Sequence, residues 1–244
     1  MYPYHQNDYT LRSHAEFIDT AKEAEDNATH RRPTSIQGIK GLSCLLQIMT
    51  CPQQILLDYM HLMCLGHVQT IVKSWCELID IQQRMEIDNM LLTTRVPHNV
   101  HVVYNESISA VECWKAKHGR LFVLNIGLPI GNNCFHKILI FFNSILCFKL
   151  VQLTYCLLLS TILAVDFLPI LNASHWVLYC IAIKLLHAPE SPDDINFAER
   201  MMHYYCRTIA EVYDRKLEYY SLHAHLHLPA QVRLHGGLSF SSVG

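Results

Sequence analysis

The sequence contains no C-x-x-C. Its ten cysteines are scattered singly, with no zinc-finger spacing among them, and they read as buried free thiols in a reducing compartment. There is no P-loop and no G-x-G-x-x-G, which removes the phosphate cradles of the common nucleotide-binding folds. No G-x-S-x-G elbow exists, so Ser43 and Ser174 lack the setting of a hydrolase nucleophile. Charge is scarce as well. Only 16% of residues are charged, and the formal net charge of −2 gives no bulk attraction for nucleic acid. Local basic stretches are short: Arg31-Arg32 and the run Lys115–Arg120. The opening MYPYHQNDYTLRSH has neither a basic n-region nor an apolar h-region, so no signal peptide is expected, and the sequons at Asn27, Asn105 and Asn172 read as chance occurrences. What the chain has in plenty is apolar side chain, 51% of it, above the level of a typical soluble domain. Its 244 residues suffice for one core of ordinary size or for part of a larger domain.

Residues 1–35 are polar, with FIDTAKEAEDNA (17–28) reading as a short solvated helix. IQGIKGLSCLL (36–46) reads as a glycine-bearing loop entering an apolar element, and 53–92 carries the longest helical signal. Pro97 and the alternation in HNVHVVYNESI predict a weak strand or extended connector over 95–108. A helix through Lys117 and a turn at Gly119 are expected next. A second clear helix follows SPDD (191–194): Ser191 is a good N-cap, Pro192 fits the first helical position, and Asp193 and Asp194 suit the positive end of the dipole. Ala198, Met201, Tyr205, Ile209 and Val212 then recur at helical spacing, predicting a helix over 192–219. The last 25 residues look irregular, and no internal repeat is present.

One segment differs from its surroundings. NNCFHKILIFFNSILCFKLVQLTYCLLLSTIL (132–163) has no Asp, Glu, Arg, Gly, Pro or Ala in 32 residues. It is long enough to span a bilayer, although Lys149 near its centre costs roughly 2.5–3.5 kcal/mol on the insertion scale. It also reads as a buried core helix. The reading favoured here is translated non-coding sequence, such as an unspliced intron, because the missing residue types with GC-rich codons (Gly, Ala, Pro, Arg) mark a nucleotide bias rather than a packing pattern.

DYMHLMCLGHVQTIVKSW (58–75) sets an acid and an imidazole at the head of an amphipathic pattern. At α-helical spacing Asp58, His61, Leu65, Val68, Val72, Trp75 and Ile79 form one stripe, placing Asp58 and His61 at the start of the buried face. A buried acid needs a partner. Asp58 then either caps the helix, with His61 in its first turn, or holds an active-site neighbour. HAHLH (223–227) would set three histidines on one side of an extended strand, a tempting metal site that no nearby carboxylate or cysteine completes. Asp80, Glu86 and Asp88 read as a solvated helix end.

These stretches resemble the motif region of eukaryotic CACTA (En/Spm-like) transposases and their animal transposase-derived relatives. In that family a G-x-K-G stretch precedes a D-x-M-H segment, then L-G and a tryptophan. The matching residues are Gly38, Lys40, Gly41, Asp58, Met60, His61, Leu65, Gly66 and Trp75. CWKAKHGRLFVLNIGLPI resembles the W-K-A-x-E-x-R element through Trp114, Lys115, Ala116 and Arg120, with His118 where an acid is usual. SHWVLYCIAIKLL (174–186) resembles the next helix, and YYSLHAHLHLPAQVRLHGGL resembles an N-x-H-x-x-x-H-L segment through His223, His227, Leu228 and Gly236, with Ser221 replacing the asparagine. The resemblance covers about 36–130 and 165–238, leaving 131–164 as an apolar insertion and 239–244 as a tail.

The resemblance implies a ribonuclease-H-like catalytic region with a helical insertion. It also implies DNA as partner, a divalent metal such as magnesium in intact members, and catalysis by two aspartates and a glutamate. The first two acids are expected upstream of D-x-M-H and the glutamate a few residues past Leu238, and neither position has a counterpart here. The expectation is therefore a mainly α fragment, an α/β remnant, with no catalytic residue and no metal ligand of its own. Asp58, His61, Trp75, Trp114, His223 and His227 would be family motif residues that brace or orient. A nuclear or cytoplasmic location follows. The rival reading is a small single-pass membrane protein spanning about 138–164. A domesticated interaction protein that kept a DNA or partner surface is a third.

Overall fold

A computed structural model describes residues 4, 12–28, 34–93, 102–126 and 167–241. The segment 132–163, with its intron, membrane-span and core-helix readings, lies outside the described residues, as does the span proposed for 138–164. The described residues are mainly helical and contain no strand, so the sheet part of the expected α/β remnant is not among them.

The chain forms two compact units, His5–Leu57 and a larger one made of Met1–Tyr4 with Asp58–Gly244. In the smaller unit, α1 (His14–Asp26) opens on a reciprocal cap: Glu16 N donates to Ser13 Oγ and Ser13 N donates to the Glu16 carboxylate. Its buried face, Ala21 and Phe17, packs on Ile39, Leu46 and Cys51. Ile36 and Ile39 exchange backbone hydrogen bonds of 2.9 Å across a two-residue turn in which Gln37 and Gly38 both have positive φ. That turn is what the glycine at 38 supplies. Residues 53–57, expected to begin the long helix, are irregular.

In the larger unit the helical signal of 58–92 divides into three. A π-helix, π1 (Met60–His67), runs into α2 (Val68–Leu78), and α3 (Ile81–Thr93) follows a break at Ile79-Asp80. Asp80 and Gln83 cap α3 reciprocally, while the Arg84 guanidinium donates to the Cys76 and Ile79 carbonyls left open at the end of α2. The Asp88 carboxylate accepts from Ile108 N at 2.8 Å, so this acid fixes a turn rather than merely facing water. Residues 102–107 are not a strand. A 3-10 segment (Ile108–Cys113) precedes α4 (Ala116–Leu121), which carries Gly119 inside it rather than at a turn, and a second π-helix (Phe122–Ile126) follows.

The last two long helices form an antiparallel pair. α5 (Ile170–His187) is apolar around its circumference, as a helix buried on most sides must be. α6 (Pro192–Val212) starts at the Ser191 cap, with Asp194 N on Ser191 Oγ and Ser191 N on the Asp194 carboxylate. Asn172 at the start of α5 donates to Val212 O, and Tyr213 OH donates to Asn172 O, tying opposite helix ends together. α6 stops at Val212, short of the expected 219, because Asp214 caps a fresh 3-10 turn, Arg215–Leu217. α7 (Tyr220–His225) and α8 (Leu228–His235) close the unit, and Arg233 grips Glu199 and Asn196 of α6. The core is aromatic: Trp75, Trp114, Phe122 and Trp176 stand with ring centroids 5.1–6.0 Å apart, largely edge-on or tilted. By length and composition α5 could cross a membrane, yet 67% of it is buried inside the protein, which marks it as the core helix of this unit.

Candidate functional site

Asp58 and His61 are together, but on the surface. The Asp58 carboxylate takes His61 N at 3.1 Å and His61 Nδ1 at 2.6 Å, and the two side chains are 58% and 65% exposed. The expectation that they begin the buried stripe is thus corrected. The stripe holds for Val68, Val72, Trp75 and Ile79. Upstream, the i→i+5 turns of π1 shift the helical phase, and the buried set becomes Tyr59, Leu62, Met63, Cys64 and His67.

A carboxylate only accepts, so in this contact His61 Nδ1 is the donor. Partial burial raises the Asp58 carboxyl, and the side-chain and backbone hydrogen bonds from His61 outweigh it, leaving the group below its ordinary range. Asp58 also supplies the first-turn cap. Asp58→Ala is therefore expected to cost about 1 kcal/mol and Asp58→Asn only a few tenths. Urea unfolding of both variants checks this, and equal losses would remove the capping role.

Two close approaches gather the surrounding elements. A Cβ on Gly119 would collide with the Cys64 carbonyl oxygen, so α4 lies directly on π1. A Cβ on Gly237 would stand 2.6 Å from the His187 carbonyl oxygen, so the segment after α8 presses on the end of α5. Arg120, next to Gly119, thereby reaches His187 Nε2 at 3.3 Å. His118, where the resemblance expects an acid, accepts from Lys115 N with Nδ1 and donates from Nε2 to Val103 O. It fills the acceptor's place in a capping box.

Beneath π1 lies a buried histidine–tyrosine network. His67 Nε2 meets Tyr205 OH at 2.7 Å and its Nδ1 meets Tyr219 OH at 2.9 Å. His225 Nδ1 donates to Ser221 O, so its Nε2 accepts from Tyr179 OH at 2.8 Å. His175 Nε2 donates to Tyr205 O and Thr208 Oγ1, and its ring stacks on Tyr205. Burial holds His67 well below the ordinary imidazole range, helped by His225 and His175, and brings both His175 and His225 down to about 4. These are neutral hydrogen-bonding rings. Of the three, only His225 was singled out in the sequence, as a member of HAHLH, although tyrosines and histidines at core positions of otherwise apolar helices, such as His175 and Tyr179 four apart, are the signal that points to the others.

HAHLH forms the end of α7 and the turn that follows it, not an extended strand, and the strand reading is corrected. His223 and His227 pair with ring centroids 5.2 Å apart, while His225, lying between them in sequence, turns into the core. Period-two spacing becomes a division of faces once the backbone is helical. Among the described residues no group of three or more His, Cys, Asp or Glu is set to hold a metal. Trp75 and Trp114 come together through Phe122 and serve the core. Gly66 backs onto Ser221, a Cβ there lying 3.6 Å from Ser221 Oγ, so π1 and the His223 segment are neighbours. No family model, no curated protein and no solved structure matches this chain.

Proposed function

We propose that the chain is a transposase-derived polypeptide of the CACTA kind. It corresponds to the C-terminal part of a ribonuclease-H-like catalytic region with its helical insertion, and has no strand-transfer activity of its own. The observation that carries this reading is convergence. The segments that bear the resemblance are far apart in sequence, yet Gly119 rests on Cys64, Gly66 on Ser221, and Trp75 and Trp114 share Phe122. That is what motif residues bracing one catalytic core would do. The exposed Asp58–His61 pair, locked together by its own hydrogen bonds, fits a bracing element.

Purified protein incubated with magnesium or manganese and transposon-end DNA is expected to leave the DNA intact, whereas nicking or joining would refute the assignment of inactivity. The insertion has its own test. Sequencing cDNA across codons 120–175 is expected to find transcripts lacking the stretch that encodes 131–164, and its retention in every transcript would count against an intron.

A further inference from the structure

We propose that Trp176, Tyr179 and His225 form a redox trap. A hole left on Trp176 by a one-electron oxidant passes to Tyr179 while the phenolic proton passes to His225. The proposal does not depend on the transposase reading. It rests on an asymmetry between two neighbouring buried rings. Trp176 and Tyr179 are three apart on α5 and stack with centroids 5.4 Å apart at an interplanar angle of 29°. Both are fully buried. The Trp176 indole N–H has no hydrogen-bond partner. The Tyr179 hydroxyl has a base, His225 Nε2, at 2.8 Å.

Loss of an electron makes either ring a strong acid. With no acceptor at its Nε1, the Trp176 radical cation keeps its proton and stays strongly oxidising. Tyr179 can shed its proton at once. His225 is held ready for it, because its Nδ1 donates to Ser221 O, which leaves Nε2 bare and then stabilises the imidazolium that forms. A phenol radical cation is a far stronger acid than an imidazolium, even one that burial has brought down to about 4. The step balances. The oxidant is a radical in solution, or in the laboratory a light pulse that ejects the electron, and it takes one electron from Trp176. One electron then moves from the Tyr179 ring to Trp176, the Tyr179 O–H bond breaks and an N–H bond forms at His225 Nε2. The products are neutral Trp176, a neutral tyrosyl radical and an imidazolium, so the single positive charge has moved and not changed.

The surroundings extend the trap on both sides. The Trp75 ring stands 5.1 Å from Trp176 and lengthens the donor side. On the acceptor side the Tyr205 ring stands 4.8 Å from Tyr179, with its hydroxyl 2.7 Å from His67 Nε2. A second tryptophan–tyrosine pair in the same unit has no such base. Tyr104 and Trp114 are 5.1 Å apart, but Tyr104 OH donates to the His118 carbonyl, which does not take a proton. The trap therefore follows from hydrogen-bond chemistry and not from aromatic packing alone.

The experiment is transient absorption of the full chain after a laser pulse that photoionises tryptophan, with an electron scavenger in solution, in ordinary and heavy water. In the wild type the tryptophan radical band is expected to give way to the tyrosyl radical band, more slowly in heavy water. Tyr179→Phe removes one oxygen and is expected to leave the radical on tryptophan. His225→Gln keeps an acceptor for the hydrogen bond but takes no proton, and should slow the conversion about a hundredfold. Tyr104→Phe should behave as the wild type does. The wild type decides the matter even if the variants at 179 and 225 fail to fold: no conversion, or conversion at one rate in both waters, overturns the trap. Conversion at the wild-type rate in Tyr179→Phe or His225→Gln, or its loss in Tyr104→Phe, overturns it equally.

Discussion

Lowering the pH from 6.5 toward 4 is expected to unfold the larger unit. His175 and His225 have folded-state values of about 4 against an ordinary 6.5, and His67 lies well below 6.5. Between those limits the unfolded chain binds protons that the folded chain refuses, so stability falls as pH falls. It is fully present above 6.5 and is lost progressively down to about 4. At about 1.4 kcal/mol per pH unit, each of His175 and His225 removes about 3 kcal/mol across the window. Together with His67 this is comparable to the roughly 5–15 kcal/mol of a whole domain. Carboxylates held low by their partners, such as Asp58 and Glu199, act in the same direction but lower on the pH scale, below the ordinary carboxyl range. Urea midpoints measured at closely spaced pH values separate the two sets. A flat profile over this range would mean that the three rings are not buried in neutral form. His225→Gln should be less stable at neutral pH and show a shallower pH slope.

Gly119→Ala is expected to destabilise by about 3 kcal/mol or more. Helix propensity alone would give the opposite sign, because alanine in a helix interior is about 1 kcal/mol better than glycine. Sterics decide the matter. The new Cβ would occupy the space of the Cys64 carbonyl, a backbone group held in the turns of π1 that has nowhere to go. Chemical denaturation of the variant measures the balance. A stabilised variant would mean that α4 and π1 do not touch as described.

The helical class of the protein was legible in its sequence wherever a helix announces itself locally. Ser191-Pro192-Asp193-Asp194 marks the start of α6, and Ala198, Met201, Tyr205 and Ile209 are all buried as their spacing predicts. The part of the stripe from Val68 onward is equally plain. What failed did so for identifiable reasons. The phase of 58–67 depends on a π-helix, and α-helical spacing carries no sign of it, so Asp58 and His61 were placed inside when they lie outside. HAHLH alternates like a strand, but its burial falls on three successive residues, Ala224, His225 and Leu226, because tertiary packing on Tyr179 and His67 overrides local pattern. The end of α6 was missed because Asp214 starts a new turn where periodicity still ran on. The histidine–tyrosine network draws on residues well over a hundred positions apart, such as His67 and Tyr205, and only the fold brings those together.

The aromatic core has an optical consequence. All three tryptophans, Trp75, Trp114 and Trp176, are at most 3% exposed and sit in the larger unit, with none in His5–Leu57. Tryptophan fluorescence, excited selectively, therefore reports on one unit alone, shifting to the red when that core opens and staying silent while α1 melts. Far-UV circular dichroism sees both. The two curves coincide only when both units unfold as one cooperative block, and the gap between them measures how independently the smaller unit melts.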